Sequence, residues 1–179
     1  MNWRTTLILA VIALAGFAYF RFFEMKRPST EEATRQAQNV VNFDRNKVDG
    51  IVIKNGDQQI EIRRRESKWR LETPIKDQAD GVLVDNLLSD LETWEKEGTI
   101  PAKDIEADKS KLTEYGLNNP KLKLKLVGRD KPPEIWFGKD AALEGRMYVR
   151  LQNSKETFLA KQSIRKDIDK NRRNFAIEE

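Results

Sequence analysis

Cysteine and histidine are both absent from this chain. Without cysteine there is no disulfide, no zinc–thiolate centre, no thiol nucleophile and no lipidated-cysteine anchor. Without histidine the commonest general base is gone, together with most zinc sites. A Ser-His triad is therefore impossible for any serine in the chain. A Ser-Lys dyad stays chemically open, but no spacing marks one out. A dominant charge of one sign is missing too. The 33 basic and 29 acidic residues leave a formal net charge of +4. All the acids lie beyond Phe23, whereas Arg4 and Arg21 precede it, so the part beyond Phe23 holds 31 basic against 29 acidic groups, a net of +2. Nucleic acid usually needs a clustered positive surface, and this balance does not require one. No nucleic-acid partner is expected.

One long apolar run is present. Thr5 to Phe20 contains sixteen residues without a charge. As a helix it spans roughly 24 Å, short of a hydrocarbon core of about 30 Å. Phe22 and Phe23 extend it if Arg21 snorkels to the interface. Trp3 and Tyr19 stand at its two ends, where interfacial aromatics belong. Residues 1–23 are therefore expected to form a retained, single-pass transmembrane anchor. The rival is a cleaved signal peptide with Ala13-Leu14-Ala15 as its small-x-small site, though the aromatic Gly16–Phe23 segment makes an awkward mature start. Charge counting alone weakly favours a cytoplasmic bulk, because Arg21, Lys26 and Arg27 follow the run and only Arg4 and the amino terminus precede it.

Residues 24–42 read as a polar stalk, in which Ser29 or Thr30 with Glu32 suits a short capped helix. Residues 43–170 read as one α+β domain. Val48 to Lys54 and Gln59 to Arg64 alternate, with Ile51 and Ile53 facing Ile60 and Ile62 across a four-residue loop, Asn55 to Gln58. Trp69 and Leu71 form the inward side of a third strand, ended by Pro74. Val84, Leu87, Leu88, Leu91 and Trp94 recur at helical spacing, so one principal helix is expected from an Asp77 N-cap to about Trp94, stopped by Gly98. A short helix ends at Gly116, and Pro120 leads into the alternating strand Lys121 to Leu126. Glu134 to Gly138, Arg146 to Leu151 and Thr157 to Ala160 complete a meander, followed by a weak helix from Gln162 to Lys170. The expected architecture is antiparallel segments, a hairpin plus a meander, packed on one principal helix. Leu117 and the strand leucines are expected to share one core. Residues 171–179 form a tail in which Phe175 and Ile177 alternate.

An ordered set of short motifs carries a resemblance. Trp69-x-Leu71-x-x-Pro74 is followed by Tyr115-Gly116-Leu117-x-x-Pro120, then Phe137-Gly138-Lys139 and Tyr148-Val149-Arg150. In that order, over roughly Val48 to Ala160, the chain resembles the bacterial domain-of-unknown-function family numbered 4340. The resemblance implies an N-terminal anchor in the inner membrane with the domain on the periplasmic side. It also implies association with ABC-type transport systems of the gliding-motility kind. It implies no catalytic residues.

The remaining candidates are weighed against plainer roles. Asp77, Asp80 and Asp85 suggest a hard cation, but match no ligand spacing and suit a helix start. Glu92, Glu95 and Glu97 read as a solvated helix end rather than a catalytic pair. No catalytic residue, metal or cofactor is expected. Lys121, Lys123 and Lys125 form a positive stripe on one strand face, and Trp136 points away from Ile135 and Phe137. These four are the candidate contacts for a protein partner, an anionic lipid or an acidic envelope polymer. The plainer reading of the lysines is a solvated outer face that discourages aggregation. Trp69 and Trp94 are expected in the core. The function expected is a non-catalytic, membrane-anchored accessory or scaffold subunit. The alternatives are a polymer- or lipid-binding module and, further off, a carboxylate-dependent hydrolase.

Overall fold

The computed structural model describes residues 30–171, together with Trp3 and Phe17. The rest of the expected anchor and the tail beyond Asn171 lie outside the described residues. Among the described residues no helix is long and apolar enough to cross a membrane. The chain divides into two units, Met1–Ala37 and Gln38–Glu179. In the stalk region a helix, α1, runs over Thr30–Gln38. Core packing of the second unit starts at Val40 and Val41, both buried, just ahead of Phe43.

The second unit is α+β, and its sheet is continuous. Nine strands run in the order β4-β3-β2-β1-β6-β7-β8-β9-β5, and each neighbouring pair is antiparallel. They are β1 (Val48–Asn55), β2 (Gln58–Arg65), β3 (Lys68–Thr73), β4 (Asp77–Gln78), β5 (Lys96–Ile100), β6 (Leu122–Gly128), β7 (Ile135–Asp140), β8 (Arg146–Leu151) and β9 (Thr157–Lys161). The hairpin and the meander are thus not separate segments. They fuse where β1 pairs with β6, Ile51 opposite Leu126 and Ile53 opposite Leu124. The fusion buries the alternating aliphatic face of both on a single surface.

Within the hairpin Ile51 faces Ile62 and Ile53 faces Ile60, the register expected from burying one face. Asn55 also pairs with Gln58, so the loop is the two-residue Gly56-Asp57 rather than four residues. Gly56 supplies the positive φ of 60° that such a tight loop demands.

The principal helix, α2, is shorter than its apolar spacing suggests. It runs over Gly81–Glu92. Asp80, not Asp77, is the N-cap: its carboxylate accepts from the Val82 and Leu83 amides at 2.9 and 3.2 Å. Asp77 instead sits in the edge strand β4, paired with Leu71. The helix closes at Thr93, and Gly98 lies in β5. Glu95 and Glu97 are therefore beyond the helix, with Glu97 on the strand and ion-paired to Arg146. Val84, Leu87, Leu88 and Leu91 are buried against the sheet, as the spacing requires.

Helix α2 is not alone on that face. The C-terminal helix α5 (Ser163–Asn171) packs beside it and buries Ile164 and Ile168. The main core thus lies between the sheet and this helix pair. Trp94 stacks on Phe137 within it, ring centroids 5.7 Å apart. The Trp94 indole donates to the Lys161 carbonyl at 3.1 Å, so its one polar group is satisfied.

Two short helices, α3 (Ala102–Ala107) and α4 (Ser110–Glu114), lead to the Tyr115–Pro120 turn. This segment lies on the opposite face of the sheet. Leu117 and Ile105 are buried there, outside the main core cluster. Leu117 therefore does not share a core with Leu122, Leu124 and Leu126, because it packs against β7 from the other side.

Candidate functional site

The opposite face of the sheet has two halves. At the Gly138 end of β7 and the facing Tyr148 of β8 it is covered by the α4–β6 turn. The covering depends on Gly138, whose place on β7 any side chain would block. A Cβ there would lie 2.3 Å from the Tyr115 carbonyl oxygen, 3.0 Å from the Tyr148 carbonyl oxygen and 3.1 Å from Leu117 Cγ. The Lys139 amide donates to the Tyr115 carbonyl at 2.8 Å and fixes the turn to the strand. Gly116 supplies a positive φ of 71° beside it. The Tyr115 ring stacks on Tyr148 of β8, centroids 4.0 Å apart. Five of the motif residues, Tyr115, Gly116, Leu117, Gly138 and Tyr148, thus meet at one junction. Pro120 is buried at its exit.

Trp69 and Pro74 belong elsewhere. Trp69 is buried beneath α2, donates to Asp85 at 3.1 Å and carries the Arg64 guanidinium 4.7 Å from its ring centroid. Asp85 is thereby occupied, and the Asp77–Asp80–Asp85 group falls apart into an edge strand, a cap and an indole partner. Among the described residues no cluster of acids could hold a metal ion.

Over β3, β2, β1 and β6 the same face is open. Register aligns one row across it: Gln59, Lys54, Lys123, Trp136 and Arg150 stand opposite one another on successive strands. Lys125 lies in the next row, opposite Val52. Two lysines, 54 and 123, are thus direct cross-strand neighbours, an arrangement that repels. Sequence reading missed Lys54 because its partner is set by the β1–β6 pairing, which no local pattern reports. Lys121 precedes the strand and does not join this row. It lines a cleft at the strand ends instead.

The cations of this face fall into two groups. On β2 they are neutralised: Arg63 pairs with Glu61 at 2.7 Å and Arg65 with Glu72 of β3 at 3.5 Å. On β1 and β6 they are not, nor are Lys68 and Arg70 of β3 among the described residues. Among the described residues Lys54, Lys123 and Lys125 have no carboxylate within 4.0 Å. Lys123 leans on Trp136, its ammonium 5.5 Å from the ring centroid. The Trp136 indole donates to Glu134 at 2.8 Å, which holds the half-buried ring at the border of the open half. Arg150 donates to the Ser154 carbonyl at 2.9 Å.

The cleft at the strand ends has a volume of about 710 Å³. Its walls are the end of β1, the Gly116–Lys121 turn, the Gly138–Asp140 end of β7 and the outer face of α5. Arg165 braces it, donating to the Gly138 carbonyl at 3.2 Å and pairing with Asp140 at 2.5 Å.

Fold and site together define a class: an α+β domain on one continuous antiparallel sheet, with one face packed by helices and half of the other left open and basic. The family model described as "Domain of unknown function (DUF4340)" matches residues 69–178, and the chain belongs to that family. The matched span starts at Trp69, leaves out the β1–β2 hairpin and continues through α5. No curated protein matches the chain. No solved structure matches it either.

Proposed function

We propose that this chain is a non-catalytic accessory subunit that docks a partner protein on the open basic half of its sheet. In this reading residues 1–23 hold it in the inner membrane, the folded domain stands on the periplasmic side, and the partner belongs to a transporter-type membrane complex. The membrane address rests on the apolar run Thr5–Phe20, and the transporter association on the family resemblance. Tethering raises the effective concentration for partners at the same surface, so the docking contact itself can be weak.

One observation carries the docking face. Lys54 and Lys123 stand opposite each other without a neutralising acid, while the arginines one strand away are paired. A face kept only for solubility is served by mixed signs, as Glu61 and Glu72 supply beside Arg63 and Arg65. A cross-strand lysine pair costs stability and is rewarded when a partner brings the acids. Trp136 beside it supplies the aromatic anchor that protein interfaces favour.

The test is in-cell photocrosslinking of the full chain from position 136. The expected product joins the chain to a membrane subunit of a transporter, and Lys123→Glu with Lys125→Glu removes it. Repeated recovery of the uncrosslinked monomer would sink the docking role. A reporter fused after Glu179 that stays cytoplasmic would sink the topology. A second reading, contact with anionic lipid headgroups or an acidic envelope polymer, draws on the same cations lying across adjacent strands of one sheet. Salt-sensitive binding of the purified chain to phosphatidylglycerol vesicles, lost in the same double variant, would favour that reading.

A further inference from the structure

We propose that the cleft at the strand ends binds a small hydroxylated organic anion of the sugar-phosphate or sugar-acid class. The inference is independent of the docking face, because Lys54, Lys123 and Lys125 do not line this cleft. Its volume of about 710 Å³ falls in the range of small-molecule sites. The walls come from four separate segments, so the polar groups converge rather than line one helix.

The charge pattern selects an anion. Arg165 and Asp140 are committed to each other at 2.5 Å, so they form a fixed wall of little net charge. Lys121 and Lys139 remain, with no carboxylate within 4.0 Å among the described residues. Asp169 is the single lining acid left over. Two lysines and one uncommitted acid thus line the cleft, a balance that suits one further negative group. Lys139 is also pre-placed. Its stem crosses Gly116, where a Cβ would come within 2.8 Å of its Cγ. The absence of a side chain at 116 is what lets the lysine lie there.

The remaining lining selects hydroxyls and a ring. Asn55 and Asn119 each present an amide that donates and accepts, and Asp169 accepts. Leu122 and Phe137 are the apolar part of the lining, chemically suited to the C–H groups of a sugar. A bare inorganic anion uses only the lysines; a neutral sugar uses only the amides and the apolar lining.

The experiment follows amide resonances of Gly116, Asn119 and Gly138 in the full, isotopically labelled chain in detergent. Three probes are titrated: glucose 6-phosphate, inorganic phosphate and glucose. Saturable shifts are expected with glucose 6-phosphate, weaker binding with phosphate and none with glucose. Lys121→Gln with Lys139→Gln weakens binding about tenfold or more, as loss of charged hydrogen-bond donors does. Asn119→Asp, which adds a negative charge at nearly constant shape, does the same. Lys54→Gln with Lys125→Gln leaves it unchanged, and unmoved core resonances report that each variant is folded. Shifts that never saturate, that centre on Lys123 and Trp136, or that survive both cleft variants would overturn the proposal. Phosphate binding as tightly as the sugar phosphate would overturn the hydroxylated class. Equal binding of glucose would overturn the anion requirement.

Discussion

A methyl group at position 138 has no room. Two of its nearest atoms would be backbone oxygens, at 2.3 and 3.0 Å, and backbone cannot swing aside as a side chain can. Gly138→Ala must therefore lift the Tyr115 turn off the sheet, and it is expected to cost about 1–3 kcal/mol or more. Urea denaturation measures this against Gly145→Ala, where nothing lies within 4 Å and only the positive φ of 74° is strained. A smaller loss at 138 than at 145 would show that the turn is not clamped. The tyrosines of the same junction add a pH dependence. Burial raises the Tyr115 phenol above its usual 10.0, with Glu114 adding to the effect. Burial does the same for Tyr148, helped by Tyr115. The folded state thus holds both phenolic protons more tightly than the unfolded chain does. Their contribution to stability is full below about pH 10 and is lost as pH rises through the raised folded values. Between about pH 8 and about pH 11 the urea midpoint of the wild type should fall further than that of Tyr115→Phe with Tyr148→Phe. Parallel curves would refute the assignment. The motif residues were readable in the sequence as a helix stop and a strand start. Their shared docking on Gly138 was not, because a glycine reports nothing about what crosses above it.

At the scale of elements the strand pair β1–β6 sets a cost against a use. Lys54 faces Lys123 directly, so Lys54→Glu turns repulsion into attraction. The expected gain is about 0.5 kcal/mol in thermal or urea stability, shrinking with added salt. A neutral or destabilising result would mean that solvent already screens the pair and that the row carries no stored repulsion. The elements differ in how plainly the chain announces them. Ile51, Ile53, Ile60 and Ile62 fix their own register, since any slip by one turns four aliphatic side chains outward. The helix start is ambiguous because Asp77 and Asp80 are both good caps. What separates them is β4, a two-residue edge strand that takes Asp77 into the sheet and is too short to leave a pattern. The apolar spacing overruns the helix end because Trp94 keeps it after the helix has stopped at Glu92. Trp94 is buried by its stack on Phe137 rather than by helical phase. The lysine face was half legible. Alternation placed Lys123 and Lys125 on one side, whereas Lys54 joined them only through a pairing between strands far apart in the chain.

At the scale of the whole unit that pairing decides how the molecule melts. The alternating patterns alone leave the hairpin and the meander as separate segments on one principal helix. The sheet is instead continuous, and β6 is its hinge: Leu124 is fully buried and faces Ile53 on β1 and Ile135 on β7. Both helices of the packed face rest on this one surface and touch each other. No division of the core leaves either half with its apolar face covered, so the unit should unfold in one transition. The tryptophans give a direct check. Trp69 reports the β3–α2 side, and Trp94 reports the β7–β9 side, where it stacks on Phe137. Single-tryptophan variants reporting from positions 69 and 94 should share one urea midpoint, and circular dichroism should coincide with both. Leu124→Ala, which empties the centre of the sheet, is expected to lower that common midpoint by the equivalent of about 2–5 kcal/mol without separating the probes. If the midpoint at position 94 moved while that at position 69 stayed, the hairpin and the meander would be independent folding units. The continuous sheet would then be a docked pair rather than a single fold.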